Sequence, residues 1–98
     1  MNPAGQLPRT HLFVCTHRRE ESSPLGPGCG DSGDAVFDAL KAEVARLGAY
    51  RDVWVTRTAC LGICPRQGCT VVVYPAGKLF RDVTVDDARE LLNEGTAK

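Results

Sequence analysis

Five cysteines in a chain of 98 residues constrain this protein more than any other feature. Thirteen residues separate Cys15 from Cys29, thirty separate Cys29 from Cys60, three separate Cys60 from Cys64 and four separate Cys64 from Cys69. An odd number of thiols cannot pair completely within one chain, which favours metal binding or thiol chemistry over a disulfide framework. The start, Met1 to Pro8, has no cationic stretch followed by an apolar run, and no run of about 18 apolar residues occurs anywhere. The expectation is therefore a cytoplasmic protein with reduced cysteines and no membrane segment. No C-x-x-C pair is present. That counts against a catalytic dithiol, where two neighbouring thiols at a helix N-terminus depress one pKa, and against a zinc ribbon built from two tight knuckles. Thiolates are soft ligands suited to iron-sulfur centres, and four of them complete a 2Fe-2S unit. A zinc-held interaction module and a thiol-disulfide redox protein remain as alternatives.

The segments around the cysteines can be read from their apolar periods. Residues 1–10 form a loose tail and residues 11–98 a single domain, the only kind a chain of this length supports. His11-Leu12-Phe13-Val14-Cys15 is a strand-length apolar run that delivers a cysteine at its end. Thr16 to Gly30, with Pro24, Gly26, Pro27 and Gly28 among charges, reads as a long loop closing on Cys29. From Asp31 the pattern turns helical. Ser32 or Asp34 can cap, Val36, Phe37, Leu40, Val44 and Leu47 recur at helical spacing, and Gly48 ends the run. Asp52 to Arg57 alternates with period two, a half-buried strand. Thr70 to Tyr74 is continuously apolar, a strand covered on both faces. Pro75-Ala76-Gly77 is a turn, Lys78 to Arg81 a fourth strand, and Thr84-Val85-Asp86-Asp87 a capping box that opens a helix through Ala88, Leu91 and Leu92.

The order β-α-β-β-α begins with a right-handed crossover between parallel strands and continues with an antiparallel hairpin followed by a helix. It predicts an α/β, thioredoxin-like domain with a central mixed sheet of about four strands and helices on both faces. The cysteine-bearing loops follow the first and second strands. Neighbouring parallel strands end on the same side of a sheet, so these loops can meet at one edge of the molecule. Gly62 and Pro65 flank Cys64 in a segment that bends tightly, where loop N–H groups can donate to cluster sulfurs.

Phe13-Val14-Cys15-Thr16, Gly28-Cys29-Gly30, Cys60-Leu61-Gly62-Ile63-Cys64-Pro65 and Val71-Val72-Val73-Tyr74-Pro75-Ala76-Gly77 carry a resemblance that spans Leu12 to Leu92 and includes Val83 to Ala88. The chain resembles the thioredoxin-like 2Fe-2S ferredoxins, relatives of a small subunit of bacterial respiratory NADH dehydrogenase. The resemblance implies that Cys15, Cys29, Cys60 and Cys64 hold a 2Fe-2S cluster, that the protein transfers one electron at a time and is not an enzyme, and that it forms a homodimer. Cys69 departs from the family pattern. It reads as a thiol buried like a small hydrophobe at the start of the third strand.

The remaining residues have structural readings beside their functional ones. Gly28 to Gly33 matches G-x-G-x-x-G, but no strand directly precedes it, and it is taken as coincidence. His11 and His17 bracket Cys15 and are expected at the surface, with His17 a minor alternative ligand. Arg18, Arg19, Arg57 and Arg66 lie near the cysteines, where cations would favour the reduced cluster, although screened surface charges act weakly. Glu20, Glu21, Asp82, Asp86 and Asp87 do not define a docking face, since the last three also suit a helix N-terminus. Trp54 and Phe37 are expected in the core. Basic and acidic residues balance at 12 each, so no global field draws the chain to nucleic acid or to a membrane. Redox proteins are the expected partners.

Overall fold

The first apolar run forms β1, Thr10–Cys15, in a computed structural model that describes residues 1–5, 7–17, 30–59 and 68–96, the last four as backbone. Helix α1 covers Gly30–Leu47, β2 Val53–Thr58, β3 Cys69–Tyr74 and β4 Lys78–Val83, and a 3-10 turn at Val85–Asp87 leads into α2, Ala88–Thr96. The expected order holds. The start of α1 differs: Ser32 and Asp34 lie inside the helix instead of capping it. Its first residue is tied instead to the chain that leaves β1, with the Gly30 N–H donating to the His17 carbonyl at 3.0 Å.

Gly48 ends α1 as its position in the pattern requires. At φ +63° it occupies the left-handed region open to glycine, which lets its own N–H reach the Ala45 carbonyl and the Ala49 N–H reach that of Val44, at 3.2 and 3.0 Å. The capping box before α2 also forms. The Asp87 carboxylate accepts the Thr84 backbone N–H at 2.8 Å and the Thr84 hydroxyl at 3.2 Å.

The strands form one mixed sheet in the order β2-β1-β3-β4. β1 runs parallel to β2, pairing Leu12 with Val55, and antiparallel to β3, pairing Leu12 with Val73. β3 and β4 make the antiparallel hairpin. Gly68, at φ +67°, enters β3 where a Cβ would overlap the Val83 carbonyl oxygen and lie 2.8 Å from the Asp82 carbonyl carbon.

Both helices cover the same face of this sheet, and the expectation of helices on both faces is corrected on that point. Leu12 and Val14 of β1, Val53 and Val55 of β2, and Val71 and Val73 of β3 meet Val36, Leu40 and Val44 of α1 and Ala88, Leu91 and Leu92 of α2 in one core. The helices also touch each other, and Glu43 of α1 bonds Arg46 at 2.8 Å and Arg89 of α2 at 3.1 Å. A right-handed crossover fixes α1 on one side of β1 and β2. The apolar stripe of α2 then finds its burial beside α1, where the hydrophobic driving force of roughly 25 cal/mol per Å² of apolar area acts on both helices at once.

The opposite face is partly open. Trp54 is 40% exposed, so Trp54 is not a core residue, and β3, with Thr70 buried and Val72 half-buried on that face, loses its second cover only at Tyr74, 50% exposed. Phe37 is partly buried against the core. His11 stacks on Phe13 with ring centroids 4.0 Å apart, meets the edge of Trp54 at 5.6 Å, and shares a 2.6 Å hydrogen bond with the Thr56 hydroxyl. Burial among these rings holds the His11 pKa below its ordinary value of 6.5, because desolvation disfavours the imidazolium. Among the described residues no helix is long and apolar enough to cross a membrane.

Candidate metal centre at the ends of two parallel strands

Cys15 is the last residue of β1 and is fully buried. Its register partner across the parallel ladder is Thr58, the last residue of β2. The pairing continues beyond both strands: the Thr16 N–H and hydroxyl donate to the Thr58 carbonyl at 3.1 and 3.4 Å, and the Cys15 thiol donates to the Ala59 carbonyl at 3.6 Å. Ala59 directly precedes Cys60 in the chain.

The start of α1 arrives at the same place. Gly30, which directly follows Cys29 in the chain, is bonded to His17, two residues past Cys15. One turn on, Gly33 packs against the end of β1 so closely that a Cβ there would overlap the Cys15 carbonyl oxygen and lie 3.0 Å from the Thr16 Cα. Only a residue without a side chain permits this approach. The described neighbours of three cysteine positions thus converge on one end of the sheet. Cys29, Cys60 and Cys64 themselves lie outside the described residues, as do Arg18, Arg19, Glu20, Glu21 and Arg66. Cys69 begins β3, fully buried and paired in register with Val83, which agrees with its reading as a buried thiol.

Of the cations expected near the site, Arg57 lies in β2. Its guanidinium sits 4.4 Å from the centre of the Phe37 ring and 3.8 Å from the Asp38 carboxylate, a stacking and charge contact that anchors it to α1. His17 is partly buried, and its carbonyl holds Gly30. Thr58 is the residue that sequence reasoning passes over. Its hydroxyl oxygen is buried and has no hydrogen-bond partner among the described residues. The available signal was a side chain with a hydrogen-bonding group two positions before Cys60.

Among the described residues no three His, Cys, Asp or Glu side chains are grouped to hold a metal ion. Among the described residues Cys15 and, at the start of the neighbouring antiparallel β3, Cys69 are buried soft donors at this end of the sheet, with the buried, unpartnered Thr58 hydroxyl across the parallel ladder from Cys15. A thiolate centre fits this end of the sheet because a buried sulfur and an unsatisfied donor suit each other once the sulfur is charged. Gly33→Ala is expected to push α1 off the end of β1, lowering stability by about 1 to 3 kcal/mol as overpacking does and loosening the site with it. Urea unfolding of the variant against wild type measures this, and an unchanged midpoint would contradict the close approach.

No family model matches the chain. Individual relatives do. A protein of Clostridium pasteurianum named "Ferredoxin, 2Fe-2S" is 34% identical over 85 residues, covering 87% of this chain and 82% of its own length. One of the same name from Aquifex aeolicus is 30% identical over 86 residues, covering 86% and 76%. The crystal structure of the wild-type thioredoxin-like [2Fe-2S] ferredoxin from Aquifex aeolicus superposes with a TM-score of 0.77 at 28% identity, over 90% of this chain and 85% of that one.

Proposed function

The chain belongs to the thioredoxin-like 2Fe-2S ferredoxin family and is an electron carrier with a 2Fe-2S cluster; from that premise we propose that Cys15, Cys29, Cys60 and Cys64 hold the cluster. The observation that carries the assignment is the convergence of β1, β2 and α1. The Cys15 thiol meets Ala59, the neighbour of Cys60, and the neighbour of Cys29 is bonded to His17. Four thiolates complete the coordination of two irons, so neither His17 nor Cys69 is required. The zinc-held module and the thiol-disulfide protein give way to the family membership.

A bound 2Fe-2S cluster supplies a one-electron couple. The chain's own part is to hold the thiolates at one end of a rigid sheet and to bond their sulfurs. In this reading the protein accepts an electron from one redox protein and passes it to another in the cytoplasm, without binding a substrate or acting as an enzyme. Cys60→Ser or Cys64→Ser is expected to lower iron and acid-labile sulfide per chain and to alter the visible spectrum, whereas Cys69→Ser leaves both intact. Wild-type iron content in the first two variants would remove them from the ligand set.

The open face of the sheet is the proposed contact of a homodimer, with a second copy of the chain as its occupant. Trp54, Phe13, Tyr74, Val72 and Leu79 make it apolar, and the imidazole among them, His11, is biased toward its neutral form. Two copies of such an apolar patch can meet across a two-fold axis, which suits an isologous contact. Light scattering is expected to give twice the chain mass for wild type and a monomer for Trp54→Glu. A wild-type monomer at micromolar concentration would exclude the dimer.

A further inference from the structure

Thr58 and Cys15 are register partners at the ends of adjacent parallel strands. Paired residues in a parallel ladder leave the sheet on the same side, and the alternation places Thr58 with Trp54 and Thr56, and Cys15 with His11 and Phe13. The Thr58 backbone is fixed, since its carbonyl accepts both the N–H and the hydroxyl of Thr16. Its own hydroxyl oxygen is buried without a partner among the described residues. A buried hydroxyl left in that state is unfavourable, and native structures rarely retain one without a reason.

The chemistry of Cys15 supplies the reason. As a thiol it donates its proton to the Ala59 carbonyl. A cysteine that ligates iron is a thiolate without that proton, so the Ala59 carbonyl, itself an acceptor, has nothing more to receive from it. The sulfur then needs donors, and the neighbouring hydroxyl needs an acceptor. We propose that the Thr58 hydroxyl donates a hydrogen bond to the Cys15 thiolate in the cluster-loaded protein, and that Thr58 is thereby a positioning residue that raises the reduction potential. A donor on a ligand sulfur draws charge from the iron and favours the state with the added electron. This role rests on Cys15 being a ligand.

The test uses the loaded protein purified without oxygen. Thr58→Val keeps nearly the shape of the side chain and removes the donor; Thr58→Ser keeps the donor. With iron and sulfide at wild-type levels, Thr58→Val is expected to show a lowered midpoint potential in a redox titration followed by visible absorbance, and Thr58→Ser a potential like that of wild type. Resonance Raman spectroscopy gives a second readout. The cysteinyl Fe–S stretching band is expected to shift between H2O and D2O in wild type and Thr58→Ser, and to lose part of that shift in Thr58→Val. A loaded Thr58→Val with the wild-type potential and the full isotope shift would overturn the proposal. If Thr58→Val fails to load, the wild-type protein decides, since a band there that does not respond to D2O overturns it equally. Cys15→Ser separates the two levels: a wild-type spectrum in that variant removes the ligand reading itself. An altered spectrum in Cys15→Ser beside an unchanged potential in Thr58→Val removes only the hydroxyl bond.

Discussion

The parallel pairing of β1 with β2 is the constraint on which the rest of the structure depends. It sets Cys15 opposite Thr58 and continues one residue further on each strand through the bonds of Thr16 and Cys15 to Thr58 and Ala59. A slip of one residue would turn Leu12 and Val14 out of the core and carry Cys15 to the other face of the sheet. The buried face of the sheet therefore enforces the register that sets Cys15 beside Thr58. Core packing and the placement of the Cys15 thiol are coupled through a single ladder.

The crossover helix completes this arrangement from the other side. A parallel pair needs a long connection, and α1 supplies it. Gly33 lets the start of that helix touch the backbone of Cys15 and Thr16, while Val36, Leu40 and Val44 bury its middle against the sheet. The Glu43–Arg89 ion pair then joins α1 to α2 on the same face, and the Arg46 hydrogen bond within α1, ahead of Arg89, holds the Glu43 carboxyl below its usual pKa. With both helices on one side, Trp54 and Tyr74 on the other stay exposed while His11 and Phe13 are half-buried. The homodimer proposed above uses that patch.

Much of this was legible in the residues. The helical recurrence from Val36 to Val44, the stop at Gly48 and the capping box at Thr84 and Asp87 each name a local physical cause, and each forms as expected. The layering was less legible, because an apolar run such as Thr70 to Tyr74 shows that a strand has two apolar faces without showing what covers them. The size of Trp54 points to the core, yet its place in the alternation does not. Its neighbours Val53 and Val55 carry the buried phase of the alternation, which leaves Trp54 on the opposite face. The site was legible as a set of thiols, and the ligand set came from the resemblance to a family. The role of Thr58 depends on a cross-strand register that no local pattern in the sequence encodes.

What the wild-type chain binds tests the cluster most directly. Purified without oxygen and analysed for iron, acid-labile sulfide and zinc beside a visible spectrum, it should contain about two irons and two sulfides per chain and show a red-brown colour that dithionite bleaches. Zinc alone, or metal-free protein that iron and sulfide cannot reconstitute, would contradict it.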